Sequence, residues 1–206
     1  INQNDILNFE LLNILDYSYI FNNEPIKRIK TKPTLENSLS KLKDLKCKIE
    51  AIQDCDLKKN SSKIVFGDGN IHSPIMIVGE GPGQKEDELG KPFVGDAGAL
   101  LNKMLKAIKI EREKIYITNV VNYRPPNNRK PEKSEINRYS EYLKEHISII
   151  DPQILILMGS TAMEALFGSN KRISKERGQW KEIIIKQKTY KSIITFHPAY
   201  LLRQPD

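Results

Sequence analysis

The chain has 206 residues, 39% of them hydrophobic and 29% charged, with two cysteines and a formal net charge of +7. These totals fit one globular domain with a small appendage and exclude a disulfide-stapled scaffold. With no apolar run near the roughly 20 residues that cross a bilayer, they also exclude a helical membrane protein.

Residues 1–22 place Ile6, Leu7, Phe9, Leu11, Leu12 and Leu15 at spacings that predict a short amphipathic helix, capped by Asn4 or Asp5. Residues 23–33 are polar and basic with two prolines, which predicts a linker, so 1–33 is expected to be an extension and 34–206 the main domain. A helix resumes near Thr34, with Leu39, Leu42, Leu45 and Ile49 on one face. Residues 62–69 predict a short strand and turn.

The pattern then alternates. A strand over 74–79 runs into a glycine loop and a helix over 96–109 whose apolar face is Ala97, Leu100, Leu101, Met104, Leu105 and Ile108. A strand over 115–121 precedes a proline-rich loop and a helix over 133–150. A strand over 153–158 meets Gly159, Ser160 and a short helix to Phe167. An edge hairpin is expected over 182–190 and a last strand over 192–196, ending at His197. Alternating strands and helices predict an α/β fold, three-layer α/β/α, with a central, mainly parallel four-stranded sheet.

Three polar residues sit at strand exits: Glu80 after the first, Asn119 within the second and His197 after the last. The loop holding Gly79, Gly81 and Gly83 has neither the Gly-Lys-Ser/Thr of a phosphate loop nor dinucleotide-binding spacing. Each residue alone has an ordinary structural explanation. Parallel topology, however, brings all three exits to one edge of the sheet, where α/β proteins bind ligands. Ser160, at a helix start, suits a phosphate, because helix N-termini offer free N–H groups. The net positive charge suits a polyanionic partner.

The stretches GEGPGQKEDELGKPFVGDAGALL, YITNVVNYRPPNNRKP and TFHPAYLLRQP together resemble the uracil-DNA glycosylase superfamily, and among its branches the family 4 type. The resemblance runs from about Cys55 to the C-terminus. It implies a DNA repair enzyme that flips uracil out of the helix and hydrolyses its N-glycosidic bond without a lyase step. In that reading Phe93 stacks on the base and Asn119 reads its edge, while backbone groups at Gly81 and Gly83 add contacts. His197 stabilises the charge that develops on O2, and Glu80 positions water. Leu201 or Leu202 enters the DNA groove, and Arg203, Arg124 and Arg177 meet phosphates.

The resemblance also implies a [4Fe–4S] cluster on four cysteines, but only Cys55 matches a ligand position. Ile52, Tyr123 and Tyr139 occupy the others, so a member without cluster or other metal is expected. Residues 170–180 contain no histidine that could trap DNA covalently. The expected partner is uracil-containing DNA, met by a monomer in the cytoplasm, with no membrane association. The rival reading is a non-catalytic uracil-DNA binding module with the same fold.

Overall fold

The computed structural model describes residues 35–204. The helix, linker and domain boundary expected within 1–33 lie outside them. The described helices are α1 (Leu35–Glu50), α2 (Asp56–Lys59), α3 (Gln84–Leu89), α4 (Asp96–Ala107), α5 (Lys133–Ile150), α6 (Ser160–Phe167), α7 (Ile173–Glu176) and α8 (Pro198–Arg203). The strands are β1 (Asp68–Gly69), β2 (Ile75–Gly79), β3 (Tyr116–Asn119), β4 (Ile154–Met158), β5 (Trp180–Ile185) and β6 (Lys188–Thr195).

The sheet has six strands in the order β1-β3-β2-β4-β6-β5. Its four central strands are parallel, as alternation required, while β1 and β5 pair antiparallel at the two edges. The four-stranded expectation therefore describes the middle of a mixed sheet. Its error has a physical cause. The hairpin expected over 182–190 and the strand expected over 192–196 are one unit, because β6 runs unbroken from Lys188 and pairs with β5 on one side and β4 on the other.

Side chains alternate across the sheet and divide the core in two. Met76, Val78, Tyr116, Leu155 and Leu157 face a large core closed by α1, α5 and α6. Ile77, Ile117, Leu101 and Leu105 face a smaller one under α4. Both faces are covered, which gives the three-layer arrangement. On α1 the buried stripe is Ser38, Leu42, Leu45 and Ile49, and Leu39 is half exposed. Ile108 falls just past the end of α4 and is exposed too, so the apolar periodicity overran the packed surface by one position in each helix.

Register sets the site. Gly79 pairs with Asn119, Val78 with Leu157, and Met158 with Thr195. The carboxyl ends of β2, β3, β4 and β6 are therefore level. Residues leaving them open onto one edge.

Candidate active site

A pocket of about 240 Å³ lies at that edge. Glu80, Gly81, Gly83, Phe93, Asn119, His197 and Arg203 all line it. The strand-exit residues singled out from sequence are thus brought together, although they are spread over more than a hundred positions.

The base of the pocket depends on the absence of a side chain at Gly79. A Cβ there would lie 2.4 Å from Asn119 Oδ1 and 2.6 Å from the Phe93 ring, so any larger residue would push the amide and the ring apart. Asn119 is 3% exposed, yet its side-chain amide makes no hydrogen bond with another described residue. Buried amides are normally paired. This one faces the pocket, and its polar atoms are not sealed from it.

Phe93 is 5% exposed and has φ of +53°, an uncommon conformation for a bulky side chain and one that costs on the order of 1–3 kcal/mol. Its ring lies 5.4 Å from the His197 ring, tilted by 31°. His197 caps α8: its Nδ1 accepts from the Ala199 N–H at 3.2 Å, which leaves the ring hydrogen of the neutral form on Nε2. Burial, together with the positive charge of Arg203, pushes the imidazole down to about 4. At neutral pH it is an uncharged hydrogen-bond donor.

Glu80 is held by Thr161, whose hydroxyl donates to Oε2 at 2.5 Å. Thr161 is fully buried in the first turn of α6, one position after Ser160. It was missed from sequence because nothing local ties it to a loop eighty residues earlier. Ser160 is partly buried and precedes it in the same turn.

Glu86 was also missed. Read from sequence, Glu86, Asp87 and Glu88 are an acidic cluster; here each does something different. Glu86 Oε1 accepts from the N–H groups of Val94 and Gly95 at 2.9 and 2.7 Å, and its Oε2 accepts from Gly83 N–H at 3.2 Å. It thereby ties the glycine loop to the Phe93 turn. The Gly83 N–H, expected to meet a base, is committed to this carboxylate. The signal available in the sequence was a glutamate three residues after the Gly83 N-cap, placed to accept from the N-cap N–H as in one half of a capping box. Asp87 is buried and accepts from the N–H groups of Ser62 and Lys63, and only Glu88 is solvated.

The residues expected to contact DNA separate into groups. Leu202 is half exposed on α8, whereas Leu201 is partly buried. Both stand on a short helix that opens directly after His197. Arg203 is exposed beside the pocket. Arg177 is exposed, with its guanidinium 4.6 Å above the Phe196 ring, and Phe196 in turn packs on Tyr200. Arg124 Nε donates to Asn128 Oδ1 at 2.8 Å. Two further basic residues of that loop are engaged elsewhere: Arg129 forks onto Glu135 at 2.7 and 2.8 Å, and Lys130 reaches Glu164.

The Uracil DNA glycosylase superfamily matches residues 66–206. The chain belongs to the uracil-DNA glycosylase superfamily. A Type-4 uracil-DNA glycosylase of Thermotoga maritima is 44% identical over 151 residues, 72% of this chain and 77% of its own length. Those of Archaeoglobus fulgidus and Sulfurisphaera tokodaii are 38% and 41% identical over 171 and 177 residues, covering 81% and 82% of this chain and 86% and 78% of their own. Within the superfamily the chain is of the family 4 type.

A family 4 glycosylase is expected to hold a [4Fe–4S] cluster, and the four positions test that. Cys55 is buried with Sγ 3.4 Å from the Tyr139 hydroxyl. Tyr139 and Tyr123 are buried aromatic side chains in the same core, and Ile52 packs against it. Cys47 is exposed. One thiolate donor among four positions does not fit a cluster bound through cysteine. Among the described residues there is no group of three or more His, Cys, Asp or Glu placed to hold a metal ion. Among the same residues no helix is long and apolar enough to cross a membrane.

Proposed function

We propose that this chain is a DNA repair glycosylase that hydrolyses the bond between uracil and deoxyribose in DNA. The observation carrying the proposal is the buried Asn119 amide, unpaired among the described residues and level with Glu80 and His197 around one pocket. An amide fixed against Gly79 donates to uracil O4 and accepts from N3–H, a pattern that cytosine reverses. The flipped base stacks on Phe93, and the few kcal/mol needed to unstack it from DNA are recovered in the pocket and by Leu202 filling the gap.

Bond cleavage leaves negative charge on the uracil, at O2. The neutral His197 donates Nε2–H to that oxygen, and a donor already in place as charge develops is worth more than one recruited from water. Glu80, held by Thr161, orients the water that bonds to C1′ and takes up its proton. Breaking the C1′–N1 bond and forming a C1′–O bond gives an abasic site and a uracil anion, and the proton taken up by Glu80 returns through solvent to give free uracil. Arg203, Arg177, Arg124 and the first turn of α6 at Ser160 hold phosphates.

We further infer that the protein works without an iron–sulfur cluster, with Tyr123 and Tyr139 packed where ligands would stand, as a monomer in the cytosol. Bound iron with broad visible absorbance in purified protein contradicts the cluster-free reading. The activity is tested with a uracil-containing oligonucleotide followed by alkaline cleavage of abasic sites. Strand breaks are expected with wild-type protein and are expected to form far more slowly with Asn119→Ala or His197→Ala. Tight binding with no abasic product from wild type overturns the enzyme reading in favour of a binding module.

A further inference from the structure

Phe93 is held in its unusual conformation by a residue outside the pocket. Arg112 lies in the turn that precedes β3, with its side chain 17% exposed. Its guanidinium donates from Nη2 to the Pro92 carbonyl at 2.7 Å and from Nη1 to the Phe93 carbonyl at 3.1 Å. These two carbonyls belong to the peptide planes on either side of the Phe93 Cα. The first plane fixes φ of Phe93 and the second fixes ψ. One planar fork gripping both therefore sets the backbone of a single residue, and with it the direction of the ring.

The guanidinium is itself aimed. Nη1 also donates to Asn102 Oδ1 on α4 at 3.2 Å, and Nη2 lies 3.6 Å from Asp68 Oδ2 on β1. A Cβ at Gly98 would fall 1.9 Å from the Phe93 carbonyl oxygen, so only glycine lets α4 approach the turn this closely. The N–H groups just downstream, at Val94 and Gly95, are taken by Glu86. The turn's carbonyls are thus held by Arg112 and its N–H groups by Glu86. Lysine would keep the charge but lacks the fork, and a single ammonium does not define two peptide planes.

We propose that Arg112 is a positioning residue for base stacking, which locks Phe93 in the left-handed conformation that turns its ring into the pocket. Arg112 touches neither the pocket nor a reacting atom. Its effect passes through Phe93, and that makes the proposal separable from general stabilisation. The inference rests on the uracil-excision reading and on Phe93 as the stacking residue.

The test is a double-mutant cycle on uracil excision, using Arg112→Lys, Phe93→Leu and the double variant, with thermal midpoints measured alongside. Arg112→Lys is expected to lower kcat/KM roughly tenfold, the scale of one charge-assisted hydrogen-bond pair, with folding retained. In the Phe93→Leu background the same change is expected to cost less than twofold, because no ring remains to be aimed. If the two losses multiply, or if Arg112→Lys alone keeps full activity, Arg112 does not act through Phe93 and the proposal fails. Wild-type protein that produces no abasic sites overturns the excision reading instead, so the two failures are told apart. A purely structural role would lower the thermal midpoint and reduce activity equally in both backgrounds, which also sinks the proposal.

Discussion

Two regions of this protein bury polar groups, and they differ in what those groups bind. Behind the sheet, under α5, several such groups have protein partners. Cys55 meets Tyr139, the Tyr116 hydroxyl lies 2.9 Å from His146 Nε2, and Asn122 donates to the Val65 carbonyl at 3.1 Å. His146 also stacks on Phe66 at 4.4 Å, 18° from parallel. At the carboxyl edge Asn119 is as buried as Asn122, at 3% each, yet its amide has no described partner and the neighbouring Phe93 is strained. Burial with a partner stabilises or is neutral, whereas an amide that faces a pocket with no protein partner is left open to a ligand. Exposure alone would not have distinguished the two asparagines.

That contrast is broken most directly by changing the edge. Asn119→Ala is expected to lower uracil excision by on the order of 10³ while leaving the thermal midpoint nearly unchanged, since an amide with no protein partner is removed. A clear loss of stability would show that Asn119 is structural. His197→Ala should cost about 10² in kcat, the scale of one donor to a developing oxyanion.

Acid tests the paired region. Burial holds His146 down to about 3 and His197 down to about 4, both below the ordinary histidine value of 6.5. The unfolded chain therefore binds more protons than the folded one between about 6.5 and those values. Stability is fully present above that window and is lost as pH falls through it. For His146, which is fully enclosed, the loss by pH 5 is about 2 kcal/mol, from 1.36 kcal/mol per unit. His146→Phe should flatten the fall in thermal midpoint between pH 7 and pH 5; an unchanged slope would place the acid sensitivity elsewhere.

Smaller effects sharpen the boundary between the regions. Thr161→Val removes the hydroxyl that holds Glu80, and a roughly tenfold drop in kcat with little change in KM is expected. An equal rise in KM would mean Glu80 acts mainly in binding. Cys55→Ser should shift stability by no more than about 1 kcal/mol and leave excision within twofold, since its partner is a tyrosine hydroxyl. A large loss of activity would mean that this position still supports the site.

Much of the fold was legible because its strands are short apolar runs closed by glycine, proline or polar residues. Ile75–Gly79 and Ile154–Met158 fall within a residue of expectation, and α5 matches its expected span of Lys133–Ile150. The edges were harder to read. Asp68–Gly69 is too short to show a period, and β5 exposes Trp180 and Ile184, so its pattern alone does not say which strand it joins. The pocket's main residues were legible one by one because they stand at strand exits. Thr161 and Arg112 were not, since each acts on a segment beyond its own element, 81 residues away for Thr161 and about 20 for Arg112, and a threonine in a helix or an arginine in a turn has many ordinary uses.

The sequence by itself determined the α/β alternation and, through it, which edge would carry Glu80, Asn119 and His197. Its motifs carried the family and the missing thiolates. Tertiary structure decided how those side chains are held: Asn119 with no described protein partner, Glu80 held by Thr161, and Phe93 turned inward by Arg112. The physical reason is range. Hydrophobic periodicity and turn chemistry act over neighbouring residues and leave marks in composition, while a hydrogen bond between segments eighty residues apart depends on strand register and helix packing that no local stretch records.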